Sequence, residues 1–323
     1  MLFPLLARAT VPDSNSFFEH CFAANWRAAH SPARIPIALP VLAAGPALEI
    51  WRGAAPTHQE ALSGGGLVAN QDFLSIYRTE AVSGRRDIES LTREIYSDIL
   101  ERQRTLGYPY LLRTWNIVPA INQGSDDQEN YVRFAVGRGT ALDACQLAES
   151  SYCAATCVGA VPESPLTVIA VASRAMPVSV ENPRQISAYH YPRRYGPRAP
   201  SFARATMLPH ERGATLFISG TASIVGHESK HAAVDAQLQE ALVNVHEVRQ
   251  QALALQPQLS YRGDSSWRIY LRDPADLPQI VPIVEGVTGS AQNVVYLHAD
   301  LCRRDLKVEI EGACELLPAS TPA

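Results

Sequence analysis

The chain has 323 residues, of which 46% are hydrophobic and 19% are charged. This composition is typical of a folded globular protein with a substantial core, and it excludes a chain that is mostly disordered. The formal net charge of −4 gives no electrostatic basis for binding nucleic acid, whose phosphates require a basic surface.

The cysteines and the first residues predict a cytoplasmic protein with reduced thiols. Six cysteines in a chain of this length are too sparse for a disulfide scaffold. The apolar run at Met1–Arg8 is short and lacks a leading positive region, so we expect no signal peptide. No later segment stays apolar over the length that a bilayer requires, so we expect no membrane partner.

The first half of the chain predicts one α+β unit. The first forty-odd residues are rich in Pro and Ala and predict irregular structure. The segment Asp87–Thr105 has apolar residues at helical spacing, which predicts an amphipathic helix. The other predicted elements are strands at Leu48–Arg52, Phe73–Arg78, Tyr108–Val118 and Leu166–Ser173, and a helix from about Asn130 to Ala148.

The second half repeats this order of strands and helices, which predicts a second unit of the same architecture. A long helix from about His227 to Leu255 has an apolar stripe made of Val234, Leu238, Ala241, Val245, Val248 and Ala252. The other predicted elements are strands at Ala214–Ser219, Trp267–Arg272, Val294–Ala299 and Leu306–Ala313, and a helix near Leu277–Val287.

This pattern predicts three parts: an N-terminal unit at residues 1–175, a loop-rich segment at 176–204 and a C-terminal unit at 205–323. A connection of that length is either a linker or a functional lid. Its stretch Tyr189–Arg198 is too aromatic and too cationic for a spacer. We therefore expect the segment to form part of a site.

The pattern His227-Glu228-Ser229-Lys230-His231 matches the zinc-protease motif and must be weighed first. A third ligand at His246 or Glu247 would lie about 22 Å further along the same helix, too far for one metal ion. This distance argues against a zinc site, and we interpret Gly226 and His227 as the start of the helix. Cys153 and Cys157 lack a second cysteine pair and are predicted to be core thiols. We expect no metal and no nucleotide cofactor.

A set of Arg, Tyr and Glu residues predicts a site for a small, partly apolar polyanion. Arg pairs bind carboxylates through two parallel hydrogen bonds, and Tyr hydroxyls add direction without charge. Glu309 and Glu311 share one face of the last predicted strand, because side chains alternate along a strand. A carboxylate there lies either at a wet edge or in a pocket.

Five segments together resemble the successive motifs of the chorismatases, which are built on the YjgF-like (Rid) fold. The segments are Leu112–Asn116, Tyr131–Arg138, Tyr191–Arg204, Ile218–Gly226 and Leu301–Ala313. The resemblance spans nearly all of the chain after the first forty residues. It implies an α+β protein of two YjgF-like (chorismate-mutase-like) α/β units, with mixed sheets packed on helices. It also implies cleavage of chorismate without a cofactor, releasing pyruvate.

The resemblance implies roles for individual residues. Tyr131, Arg138, Tyr191 and Arg204 match its substrate-binding positions, and Glu309 matches its catalytic acid. In the family, a cysteine at the place of Cys302 accompanies formation of an aromatic ring. We therefore expect 3-hydroxybenzoate as the second product, with 4-hydroxybenzoate as a further product in bifunctional members. On its own, Cys302 is equally well explained as a small core residue.

Four alternatives stay open at this point. Chorismate hydrolysis would give a dihydroxycyclohexadiene carboxylate, and a ligand sensor would have no activity. A zinc hydrolase would use His227 and His231. A YjgF-like enamine/imine deaminase is weakened, since Ala291-Gln292-Asn293-Val294 stands where that family has a carboxylate-binding Arg. An oligomer is neither indicated nor excluded.

Overall fold

The computed structural model of the chain describes residues 1–7, 16–22, 32–42, 48–83, 86–261, 264–288 and 293–319. The first sheet has four strands in the order β1-β4-β2-β3. These strands are β1 (Phe3–Ala7), β2 (Ser16–Phe22), β3 (Arg34–Ile37) and β4 (Leu48–Arg52).

The expectation of irregular structure in the first forty-odd residues is wrong for the residues among them that the structure describes; residues 8–15 and 23–31 lie outside the described ranges. β2 and β3 pair in parallel, and β2 also pairs with β4. Phe17 and Phe18 are fully buried, and the ring of Phe18 stacks on Trp51 at 5.1 Å between centroids. Tertiary packing therefore stabilises these short strands, which the local sequence pattern does not reveal.

The central sheet has seven strands in the order β19-β9-β8-β10-β7-β6-β5 and packs against helices α1 and α2. The elements from this part of the chain are β5 (His58–Leu62), β6 (Gly65–Ala69), β7 (Phe73–Glu80), α1 (Ile88–Thr105), β8 (Tyr110–Pro119), α2 (Asn130–Ala144), β9 (Ala154–Ala160) and β10 (Leu166–Ser173). Helix α2 ends four residues earlier than predicted, and Gln146 has the left-handed φ of 54°, which interrupts a helix.

The C-terminal sheet has seven strands: six follow the order β11-β12-β13-β20-β17-β18, and the seventh, β16, pairs with β20. It packs against helices α3 and α4. Its part of the chain contains β11 (Val178–Val180), β12 (Ala205–His210), β13 (Gly213–Ala222), β14 (Ile224–Val225), β15 (Glu228–Ser229), α3 (Val234–Leu255), β16 (Leu259–Ser260), β17 (Ser265–Leu271), α4 (Leu277–Thr288), β18 (Val294–His298), β19 (Asp300–Leu301) and β20 (Val308–Pro318).

The predicted start of the long helix at Gly226 and His227 is wrong. Helix α3 begins at Val234, and the preceding residues form the two-stranded hairpin β14–β15. Gly226 turns this hairpin at φ 62°, and His231 has φ 63°, so neither residue has a helical backbone. The zinc-protease pattern therefore lies on a hairpin and its exit.

The expected fold class is confirmed as α+β with mixed sheets packed on helices. Each seven-stranded sheet contains one parallel pair, β8–β9 or β17–β18, among antiparallel neighbours. The faces that the helices leave uncovered pack together with the four-stranded sheet into a third apolar core. Strand β19 of the C-terminal part pairs with β9 of the central sheet, which brings Cys302 close to that sheet.

Two further findings concern the cysteines and the helices. All six cysteines lie in the described ranges, and each is an unpaired thiol. In those same ranges no helix combines the length and the apolar character needed to cross a bilayer.

Candidate active site

Two adjoining cavities lie where β9, β13 and β20 meet the loop-rich segment. The outer cavity has a volume of about 860 Å³, and the inner cavity has about 40 Å³. They share six lining residues: Tyr131, Pro200, Phe202, Gly220, Cys302 and Glu309. The outer cavity is large enough for a small organic ligand, and the inner one for about one water molecule.

Glu309 lies on β20 between β13 and β17, opposite Ala222 and Tyr270. The residue is 4% exposed and lines both cavities. Burial, followed by the nearby Glu311, raises the pKa of the Glu309 carboxyl to about 8, against the opposing effect of Arg113. Glu309 is therefore largely protonated at neutral pH and can donate a proton into the cavity.

Gly220 provides the space that the Glu309 carboxyl occupies. The pairing of β13 with β20 shifts register between Ile218 and Thr221, and Gly220 lies in this irregularity. A Cβ atom at Gly220 would collide with Oε1 of Glu309. The backbone N–H of Gly220 donates a 2.9 Å hydrogen bond to the hydroxyl of Thr156 on β9.

Glu311 is on the same face of β20, but its surroundings are different. Its carboxylate accepts hydrogen bonds from Arg113 at 2.6 Å, from Trp115 at 2.8 Å and from the Thr156 hydroxyl. A guanidinium nitrogen of Arg268 lies 3.3 Å from Oε1 of Glu311. Side chains from three strands therefore hold the Glu311 carboxylate in place. Glu311 does not line either cavity.

Arg138 and Arg204 are buried cations without an ion pair to any carboxylate of the described residues. Arg138 is 4% exposed, lines the inner cavity and lies over the Tyr96 ring at 5.2 Å. Arg204 is 5% exposed, lines the outer cavity and donates to Tyr191 Oη at 2.9 Å. The Nε atoms of both side chains lack a hydrogen-bond partner. Buried guanidinium groups of this kind are suited to an anionic ligand.

Tyr131 and Tyr191 line the outer cavity. Burial raises the pKa of Tyr131 well above its usual value, so its hydroxyl is a neutral donor. Arg303 was not predicted individually: its guanidinium lies 5.4 Å from the Tyr191 ring centre and 4.2 Å from that of Tyr195. Arg303 donates to the backbone oxygen of His227 at 2.9 Å and forms no ion pair within the described ranges. Its position directly after Cys302 is the feature of the sequence that could have indicated a place in the site.

Two thiols line the inner cavity. Burial, together with the Glu309 carboxyl, raises the pKa of Cys302 to about 12, so this thiol stays protonated. Cys157, predicted to be a core thiol, packs against the core beside the helices, and its side chain also lines the inner cavity, which the sequence did not indicate. Cys153 is buried in the core beside the helices, as predicted.

The loop-rich segment lies across the outer cavity. It contributes Tyr191, Phe202 and Arg204 to the cavity wall. Arg193 forms two hydrogen bonds with Asp127, at 2.6 and 2.9 Å. These contacts connect the segment to the opposite rim of the cavity.

The two histidines of the zinc-protease pattern contact different partners. His227 lies 2.8 Å from a nitrogen of Arg194, and His231 lies 3.1 Å from Glu240 on α3. The described part of the chain contains no group of three or more His, Cys, Asp or Glu side chains that could hold a metal ion. Ala291 and Gln292, which weakened the deaminase alternative, lie outside the described residues.

Comparisons with known proteins agree on one family. The family model described as "Chorismatase FkbO/Hyg5-like, N-terminal" matches residues 49–172. A chorismatase from Streptomyces hygroscopicus is 36% identical over 272 residues, covering 82% of this chain and 78% of that protein. A 3-hydroxybenzoate synthase from the same organism is 37% identical over 231 residues, covering 68% of each chain. A crystal structure of a chorismatase superposes with a TM-score of 0.82 at 30% identity, covering 98% of both chains.

Proposed function

The chain belongs to the chorismatase family, and we propose that it cleaves the enolpyruvyl ether of chorismate to pyruvate and 3-hydroxybenzoate. One observation supports this reaction most strongly. A buried, protonated Glu309 faces two adjoining cavities, and the wall of each contains one buried guanidinium group that forms no ion pair with the described residues, Arg138 in the inner cavity and Arg204 in the outer one. The similarity to a 3-hydroxybenzoate synthase supports the choice of aromatic product.

The proposed binding mode uses charge complementarity. Chorismate has one carboxylate on its ring and one on its enolpyruvyl group. Arg204, together with the hydroxyl of Tyr191, would bind one of them, and Arg138 would bind the other beside Tyr131. An arginine fork pairs with a carboxylate through two parallel hydrogen bonds, which orients the substrate as well as holding it.

The proposed chemical step begins with proton transfer from Glu309. The electron pair of the enol ether double bond forms a C–H bond at the terminal methylene carbon, and the ether oxygen stabilises the resulting cation. Water then adds to the cationic carbon and loses a proton, and the bond between that carbon and the ether oxygen breaks, which releases pyruvate and leaves a hydroxyl on the ring. The neighbouring ring hydroxyl then takes up a proton and leaves as water, and the loss of one ring proton gives 3-hydroxybenzoate. Glu309 becomes a carboxylate and can take up the proton that the ring loses on becoming aromatic.

The possible ring products differ in whether they retain the atoms of one water molecule. Pyruvate and hydroxybenzoate together contain the atoms of one chorismate, whereas the dihydroxycyclohexadiene carboxylate contains the atoms of one additional water. We propose that Cys302 favours the aromatic product, since its neutral thiol lines the wall beside Glu309. A second product, 4-hydroxybenzoate, would arise if the bond between the ring and the ether oxygen broke instead, so that the ring kept only the oxygen of the neighbouring hydroxyl.

The setting of the reaction is part of the proposal. Six unpaired cysteines support a reducing, cytoplasmic environment. We also propose the division of the chain into a unit at residues 1–175, a site-forming segment at 176–204 and a catalytic unit at 205–323. In this division the catalytic acid comes from the last unit, while Tyr131 and Arg138 come from the first.

The experiment that tests the function is incubation of the purified protein with chorismate after exhaustive chelation. We expect pyruvate release, measured by a coupled lactate dehydrogenase assay, at a rate that chelation does not change. Absence of pyruvate would contradict the proposed reaction. Activity that returns only with added zinc would contradict the cofactor-free mechanism and favour His227 and His231 as ligands.

A further inference from the structure

Most of the residues that set the environment of Glu309 do not line the substrate cavities; Thr156, in the wall of the inner cavity, is the exception. Glu311, two positions away on the same face of β20, accepts hydrogen bonds from Arg113 and Trp115 of β8 and from Thr156 of β9, and it forms an ion pair with Arg268 of β17. The Thr156 hydroxyl also accepts the N–H of Gly220, the residue that adjoins the Glu309 carboxyl. Glu311 is therefore linked to the acid both by charge and by backbone contact.

Arg268 extends this network into the first sheet. Its Nε donates to Glu49 at 3.0 Å, and Glu49 also accepts from Trp51 at 2.6 Å and lies 3.0 Å from His20. His20 and Glu49 are 0% and 2% exposed. Burial lowers the pKa of His20 to about 4, so the imidazole is neutral. Although burial opposes it, Arg268 holds the pKa of Glu49 below its usual range.

The charges in this network balance only when Glu309 is protonated. Two cations, Arg113 and Arg268, face two carboxylates, Glu49 and Glu311. Ionisation of Glu309 would add an unmatched negative charge to a buried cluster, which is costly in an environment of low polarity. The other titratable side chains that line the inner cavity are Tyr131, Cys157 and Cys302, which are neutral, and the cation Arg138. The outer cavity adds charged side chains of both signs and two further tyrosines: Asp126, Asp127, Glu129, Tyr191, Arg193, Arg194, Tyr195, Arg204, Glu228, Arg303, Arg304 and Asp305.

We infer that Glu311 is a positioning residue, a fixed carboxylate that keeps Glu309 in its acid form and aligns Gly220 against it through Thr156. This inference rests on the proposed role of Glu309 as the acid. It assigns a function to the first sheet as well, since His20, Glu49 and Trp51 hold the arginine that Glu311 shares.

The test compares pH profiles of kcat/KM for three variants with the parent. Glu311→Gln removes the fixed charge and leaves Arg113 and Arg268 in excess. We therefore expect the alkaline limb of the pH profile, where kcat/KM falls, to shift to a lower pH by at least about one unit. Well above pH 8, where activity follows the fraction of protonated Glu309, kcat/KM should then fall about tenfold for each unit of displacement. Glu311→Asp keeps the charge and should keep the limb in place with a lower kcat. Glu315→Gln is the matched control, because it is a buried carboxylate on β20 that does not line either cavity.

A uniform loss of activity in Glu311→Gln with an unmoved alkaline limb would overturn the inference, because it would indicate a structural role alone. If Glu311→Gln does not fold, the pH profile of Glu311→Asp still tests the inference. A limb displaced by about one unit or more despite the retained charge would contradict the assignment.

A second measurement needs no substrate and separates this inference from the proposed function. Infrared titration of the parent should show a protonated carboxyl band that is lost above about pH 8 and is missing in Glu309→Gln. In Glu311→Gln that band should disappear at a lower pH. A band with an unchanged midpoint would overturn the inference even in an active enzyme, whereas a shifted midpoint would support it even if chorismate proved not to be the substrate.

Discussion

Arg204 donates a 2.9 Å hydrogen bond to the hydroxyl of Tyr191, and its guanidinium lies 5.6 Å from the centre of the Tyr191 ring. The contact fixes the direction of a cation that has no carboxylate partner in the described residues. Both residues belong to the loop-rich segment that lies across the outer cavity. In the proposed binding mode, this contact holds the guanidinium in position for a carboxylate of the substrate.

The first prediction concerns the two buried arginines. Replacement of Arg138 or Arg204 by Ala should weaken transition-state binding by roughly 2–5 kcal/mol, as expected when a buried charge loses its partner. Lys should restore little activity, because it cannot reproduce the planar fork. The measurement is kcat/KM for pyruvate release, with the exposed Arg212→Ala as the control. Near-normal values in both Ala variants would exclude these arginines from the site.

The second prediction concerns the acid. Glu309→Gln keeps the shape of the side chain and removes the proton, and general acid catalysis typically contributes about 10²–10⁴-fold. Pyruvate release should therefore fall by that order, and every ring product should fall with it, because all branches begin with the same protonation. Normal pyruvate release in this variant would place the acid elsewhere.

The third prediction is the pH dependence that follows from the pKa of Glu309, raised to about 8. The protonated form is the active one, so kcat/KM should decrease as pH rises through about 8. The same carboxyl in the unfolded chain has a pKa of about 4.3. The folded state therefore holds an extra proton between these values, and the free energy of unfolding should decrease as pH rises through that window.

Denaturant titrations of the parent and of Glu309→Gln check the stability part of this prediction. The variant lacks the titrating group, so its stability relative to the parent should increase between about pH 5 and about pH 9. A difference that stays constant over this range would show that Glu309 titrates at its ordinary pKa.

The fourth prediction separates the two thiols of the inner cavity. Cys302→Ala should leave substantial pyruvate release and shift the ring product from 3-hydroxybenzoate toward the dihydroxycyclohexadiene carboxylate. Cys157→Ala is the matched control, since it removes a thiol from the same cavity. Chromatography of the ring products measures the partition. An unchanged partition in Cys302→Ala would assign Cys302 to packing.

Much of the fold could be predicted from local patterns. Helix α1 matches its prediction to within one residue, because its apolar residues recur at helical spacing and Asp87 caps its first turn. The stripe from Val234 to Ala252 packs against the C-terminal sheet as predicted. The start of α3 was misplaced because a hairpin turned by Gly226 has no distinctive pattern in so short a stretch.

The site was predictable only where a motif or an alternation marked it. Alternation along β20 placed Glu309 and Glu311 on one face, but nothing in the sequence distinguished their environments. That difference depends on Arg113 and Arg268, whose strands meet β20 only in the folded protein. The contact between Glu49 and Arg268 joins residues 219 positions apart. Arg303 and Cys157 were missed because their roles depend on the cavity rather than on neighbouring residues.

The most direct test of the central claim is the stoichiometry of products from the parent enzyme. Chorismate is incubated with the purified protein, and pyruvate and each ring product are measured in the same sample. We expect pyruvate and 3-hydroxybenzoate in nearly equal amounts, and we expect both to be lost together in Glu309→Gln. Pyruvate accompanied only by the dihydroxycyclohexadiene carboxylate would contradict the proposed product, and no consumption of chorismate would contradict the proposed reaction.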